Sequence, residues 1–177
     1  MSERSDAILD AAQARIRVGG YNGFSFREIA ADVGIKSASV HHHFATKSDL
    51  AAAVARRYRI HFEEAVGAQI EAGTPPVEAW RTVFRTSLLE DGQMCLCGIL
   101  AAEVDSLPAA VADEARAFFA SGIESLAGAC ASGGQPAHGF AVRTMATLQG
   151  AMLVARALSD TRAFDDATAK LGAPAGG

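Results

Sequence analysis

Between residues 25 and 47 the chain gathers Ser25, Arg27, Lys36, Ser37, Ser39, three histidines (His41, His42, His43) and Lys47. Hydroxyls, ammonium groups, a guanidinium and imidazoles all donate hydrogen bonds, which suits them to phosphate oxygens and base edges. The histidine run also invites a metal ion. On a helix, successive side chains point about 100° apart, so three neighbours cannot converge on one ion. No Cys, Asp or Glu stands four residues after any of them. Neither a metal nor a cofactor is expected. A second group with reactive chemistry is Cys95 and Cys97, with Cys130 further on. A catalytic thiol needs a base and a group to orient it, and nothing in the sequence supplies that set. An enzyme is not expected.

The elements that must position these residues read as helices. Prolines stand only at 75, 76, 108, 136 and 174, between apolar-periodic segments. About nine helices and no sheet are expected. The first covers 3–18, with Ile8, Ala12 and Ile16 on one face, and Gly19-Gly20 stops it. Ser25-Phe26-Arg27-Glu28 fits a capping box and opens a short helix to 33, which Gly34 ends. A third opens at Ser37 or Ala38 and runs to about His43. Thr46-Lys47-Ser48-Asp49 is a second capping box, opening a long helix to 72. After Gly73-Thr74-Pro75-Pro76, further helices are expected at 76–90, 94–105, 108–131, 136–159 and 162–171, with Gly133-Gly134 and the tail from Ala173 as loop. The domain boundary is placed at 1–50 and 51–177, with the 47–72 helix as link.

Composition narrows the function. The net charge is −4, but residues 1–60 hold nine Lys/Arg and six Asp/Glu, a net of +3. A basic head on an acidic body suits a nucleic-acid contact at one end. No stretch is apolar for the length of a membrane span. The first residues carry both charge signs, so no targeting segment is expected, and a reducing cytoplasmic setting fits the few cysteines.

Residues 26–44 give helix, tight turn, helix, the spacing that lets a second helix lie in the major groove. The stretch Gly23-Phe24-Ser25-Phe26-Arg27-Glu28-Ile29-Ala30-Ala31-Asp32-Val33-Gly34-Ile35-Lys36-Ser37-Ala38-Ser39-Val40-His41-His42-His43-Phe44, followed by Thr46-Lys47-Ser48-Asp49-Leu50, resembles the DNA-binding head of the TetR/AcrR repressors. The resemblance covers roughly residues 5–55. It implies an all-α protein: a three-helix head with a helix-turn-helix, and a helical ligand-binding and dimerisation bundle behind it. It further implies a homodimer on a palindromic double-stranded operator, released by a small-molecule effector. Position by position, Ser25 and Arg27 fall where the second helix meets phosphates. Lys36, Ser37, Ser39 and Val40 open the recognition helix. His41 and His42 stand where the family usually has two tyrosines, and Lys47 stands at the start of helix four, near a phosphate. Phe24, Ile29, Val33, Val40 and Phe44 are also read as core of the head. Imidazole charge changes near neutral pH, so affinity should fall as pH rises if either outer histidine is charged at DNA.

In the body, Trp80, Phe84, Leu88, Phe118, Phe119 and Met145 are of types that line a drug-like pocket or fill a core. The segment from Met94 to Val104 resembles the corresponding helix of the N-ethylmaleimide reductase repressors, electrophile sensors within the same family. That implies a sensing role for Cys95, where helix N–H groups could stabilise a thiolate. The simpler reading of Cys95 is a small buried hydrophobe. The resemblance puts the dimer interface on the last two helices, and Leu148, Ala151, Met152 and Ala155 are the candidates there. Arg56, Arg57 and Arg59 read as a solvated basic face. A rival to the regulator is a sequence-indifferent DNA-packing protein, which would bind any duplex alike.

Overall fold

The computed structural model describes residues 3–128 and 137–172. Cys130, the Gly133-Gly134 break and the tail from Ala173 lie outside the described residues. Among those described there are nine α-helices and no strand. They are α1 (Glu3–Gly19), α2 (Phe26–Val33), α3 (Ser37–His43), α4 (Lys47–Glu71), α5 (Pro76–Asp91), α6 (Leu96–Ala102), α7 (Ala109–Gly128), α8 (Ala137–Leu158) and α9 (Arg162–Thr168). Short 3-10 turns stand at Tyr21–Gly23 and Val104–Ser106. The second of these shortens the helix expected at 94–105. The Ser106 N–H and hydroxyl both donate to the Glu103 carbonyl, which tightens the chain there, and Pro108 has no N–H to continue. Among the described residues no helix is long and apolar enough to cross a membrane.

The chain divides into two compact units. One is Met1–Ile60 with Leu96–Ala117; the other is His61–Cys95 with Phe118–Gly177. Of the three division points, two fall inside continuous helices, α4 and α7, and the third falls just before α6. The first unit therefore extends past residue 50 and takes in α6.

In the first unit, α1 turns Ile8, Leu9, Ala12 and Ile16 inward, all fully buried. α2 and α3 pack on each other and α1 packs on α2. Ion pairs tie the same elements. Arg15 of α1 binds Asp32 of α2 through Nε and Nη2, and Glu28 through Nη1. The arginines of α4 correct the expectation of a solvated basic face. Arg56 and Arg59 converge on the Glu114 carboxylate of α7, at 2.6 and 3.4 Å, and Arg57 donates to Asp10 of α1. A mostly buried carboxylate with two arginine partners is a structural tie, not a surface stripe.

In the second unit, Phe62 of α4 meets Trp80 and Phe84 of α5 and Phe118 of α7, with ring centroids 5.0–5.5 Å apart. Trp80 donates its indole N–H to Ser125 Oγ at 3.1 Å, which satisfies its one polar atom. Gly122 lies against Trp80 and Met145 so closely that a Cβ there would sit 2.5 Å from the Met145 methyl carbon. At the edge, Arg85 binds Asp165 of α9 with two hydrogen bonds, 2.6 and 2.9 Å.

Candidate nucleic-acid interface

The ends of α2 and the start of α4 are fixed by local chemistry. At the start of α2, Ser25 Oγ accepts the Glu28 N–H and donates to Glu28 Oε2 at 2.7 Å. Gly34 ends α2 with φ +71°, a left-handed conformation that side chains resist. Its N–H and that of Ile35 return to carbonyls at the end of α2. α3 then begins at Ser37, after two linking residues. α4 begins with a reciprocal box: Asp49 N–H donates to Thr46 Oγ1 (3.1 Å), and Thr46 N–H donates to Asp49 Oδ2 (3.0 Å). The helix-turn-helix spacing is thus held by caps and one glycine.

These ends present a polar row. Ser25, Arg27, Lys36, His41 and His42 are exposed, and Ser37, Ser39 and Lys47 are half-buried. Val40 departs from its expected place among the contacts. It is fully buried and supports α3 from beneath, as the core reading of the same residue had it. Phe24 and Ile29 are buried with it, whereas Val33 and Phe44 are half-buried. His41 and Phe26 meet edge-to-face, ring centroids 4.5 Å apart, so an exposed imidazole is already packed against the head. His42 and His43 contact each other at 5.6 Å. Among the described residues no group of three or more His, Cys, Asp or Glu is placed to hold a metal.

Lys47 is set differently from the other cations. Its Nζ lies 4.8 Å from the Tyr21 ring centre and 4.7 Å from that of Phe24. Burial draws its pKa below the usual lysine value, and the nearby Glu28 carboxylate opposes that shift. Sequence reasoning named Lys47 but missed the two rings. Tyr21 read only as a turn residue, and Phe24 only as core.

The remaining sequence candidates fall in the body. Trp80, Phe84, Phe118 and Met145 come together around Phe62 and Gly122, and Leu88 is buried too. Phe119 meets Phe118 edge-on and is half-buried. Phe62 was overlooked, although Tyr58, Phe62 and Val66 form an i, i+4 stripe that could have revealed it. Cys95 is fully buried just before α6, with its N–H donated to Met152 Sδ at 3.0 Å. Leu148, Ala151, Met152 and Ala155 correct the expected dimer contacts. All four are buried within the single chain, so none is available to a partner. The exposed apolar residues of α8 are instead Val142, Leu153, Val154 and Leu158, at 39, 57, 48 and 65%.

Comparison with known proteins follows the same lines. The pattern for bacterial regulatory proteins of the tetR family matches residues 8–54. A transcriptional regulator of the TetR family from Agrobacterium tumefaciens is similar over 94% of each chain, at 34% identity and a TM-score of 0.87. A TetR transcriptional regulator from Legionella pneumophila is similar at 28% identity and a TM-score of 0.87, over 97% of this chain and 96% of that one. The reduced form of NemR from E. coli has the same fold, with a TM-score of 0.83 over 99% and 100% of the two chains, at 18% identity. No curated protein sequence matches.

Proposed function

Because this chain belongs to the TetR family of bacterial regulatory proteins, we propose that it is a homodimeric repressor that reads a palindromic operator through α3 and leaves it when a small effector binds the body. The observation that carries the reading is the polar row over a buried floor. Arg27, Lys36, His41 and His42 are exposed on α2 and α3, or at their junction, while Val40 and Ile29 hold the same helices from within. Such a helix can enter a groove without losing core. Ser25, Ser37, Ser39 and Lys47 complete the contacts to phosphate and base edges.

Two copies pair through the exposed apolar face of α8, which supplies Val142, Leu153, Val154 and Leu158. The effector is apolar and aromatic in character, matching Trp80, Phe84, Leu88, Phe118, Phe119 and Met145, part of whose packing must give way to admit it. Full burial of Cys95 favours its role as packing over a thiol sensor.

Operator selection from random duplexes with the purified protein tests the main claim. Enrichment of a palindrome is expected, followed by its release by members of a panel of hydrophobic aromatic compounds. Indifference to sequence would favour the packing protein instead. Leu153→Glu should shift the protein toward monomer in sedimentation and weaken operator binding at least tenfold. An unchanged dimer would refute the α8 interface.

A further inference from the structure

Glu103 lies outside the polar row, yet its carboxylate reaches the turn that shapes one end of it. Oε2 accepts the Tyr21 N–H at 3.0 Å. Gly20 makes the approach possible. A Cβ at that position would lie 2.0 Å from Glu103 Oε1, and its φ of +67° is one that L side chains rarely adopt. Glu103 is itself held from behind, because its carbonyl accepts from the Ser106 N–H and hydroxyl, at 2.9 and 2.8 Å. On the other side of the turn, the Tyr21 and Phe24 rings meet edge-on at 6.4 Å, and the Lys47 ammonium sits over both. Ring faces attract cations. A continuous series of contacts therefore runs from the residue after α6, through the Tyr21 peptide and ring, to the first residue of α4.

We propose that Glu103 is a positioning residue for DNA binding: it locks the Gly20–Tyr21 turn so that Tyr21 and Phe24 hold the Lys47 ammonium ready for a backbone phosphate. The proposal rests on the DNA-binding reading above. A lysine free in solvent loses rotamer freedom when it meets phosphate, whereas a lysine already held has little left to lose. The lock thus raises affinity without touching DNA.

The experiment uses the full-length protein in two arms. In the first, without DNA, NMR follows the Lys47 ε-methylene protons, which the rings should shift upfield. Glu103→Ala should move them toward the free-lysine position, and Glu103→Gln, which keeps an acceptor oxygen, should leave them near the wild-type position. An unmoved signal in Glu103→Ala overturns the proposal. In the second arm, affinity for the selected operator is measured across salt concentrations. Glu103→Ala should weaken binding several-fold and lower the salt slope by about one, the signature of one lost phosphate contact. Gly20→Ala, which expels the carboxylate from the other side, should do the same, and Glu103→Gln should restore most of the loss. Glu103→Ala combined with Lys47→Ala should bind no worse than Lys47→Ala alone, since both changes remove one contact. Additive losses or an unchanged slope overturn the proposal. Should the wild type prefer no duplex, the DNA reading fails, while the NMR arm still decides whether Glu103 holds Lys47.

Discussion

In the unit that carries α1 to α3, order is set at the ends of short helices; in the unit built on α5 and α8, it is set in the middle of long ones. The first uses a serine cap, a threonine–aspartate box, one left-handed glycine and a fork of ion pairs from Arg15. The second uses four interlocked aromatic rings and a glycine pressed against two large side chains. A DNA-reading surface needs its exposed groups at fixed spacing over a firm floor, here Ile29 and Val40. Short-range hydrogen bonds meet that need. The larger helices of the other unit are instead held by interdigitated side chains at high packing density.

The sharpest way to break this contrast is in the body. Phe84→Ala should cost about 3–5 kcal/mol of unfolding free energy, because the ring is fully buried among Phe62 and Trp80. Denaturant titration checks it, and a loss below about 1 kcal/mol would mean the ring cluster is not what holds the unit. Next comes Gly34→Ala in the head. No atom lies within 4 Å of the new methyl, so its cost is backbone strain alone, about 1–2 kcal/mol. The same titration should show that loss with an unchanged slope. Thr46→Ala removes one cap acceptor and should cost about 1 kcal/mol, while Thr46→Ser should restore nearly all of it.

The smallest effect expected is on pH dependence. The Arg85 guanidinium, bonded twice to Asp165, holds that carboxyl below its ordinary value of 3.8. The folded chain therefore binds this proton less readily than the unfolded one. The stabilisation is complete above the ordinary value and is lost as pH falls through the lower, folded one. Asp32, bonded to Arg15 in the head, is shifted in the same direction for the same reason. Melting temperatures of the wild type and Asp165→Asn should differ at neutral pH and converge in acid. A gap that persists in acid would show that the asparagine damages packing instead.

The same contrast explains what could be read in advance. Both capping boxes and the Gly34 turn follow from residues within four positions of one another, and the sequence displays them. The nine helices among the described residues agree with the about nine that proline spacing and apolar periodicity imply. Periodicity also identifies Leu148, Ala151 and Met152 as one apolar stripe, but it cannot tell a stripe facing its own core from one facing a second copy. That is why the dimer residues were misplaced. Glu103 was invisible for another reason: its partner Tyr21 is 82 positions away, and no local pattern links a glutamate to a distant peptide N–H.

One consequence follows from the way the first unit is assembled. Because Leu96–Ala117 belongs with Met1–Ile60, the compact unit that carries the helix-turn-helix is not a contiguous N-terminal fragment. A graft that joins residues 1–60 of this chain to the body of a paralogue would replace α6 and the first half of α7, and with them Glu114, the mostly buried partner of Arg56 and Arg59. A working chimaera must carry both segments across together.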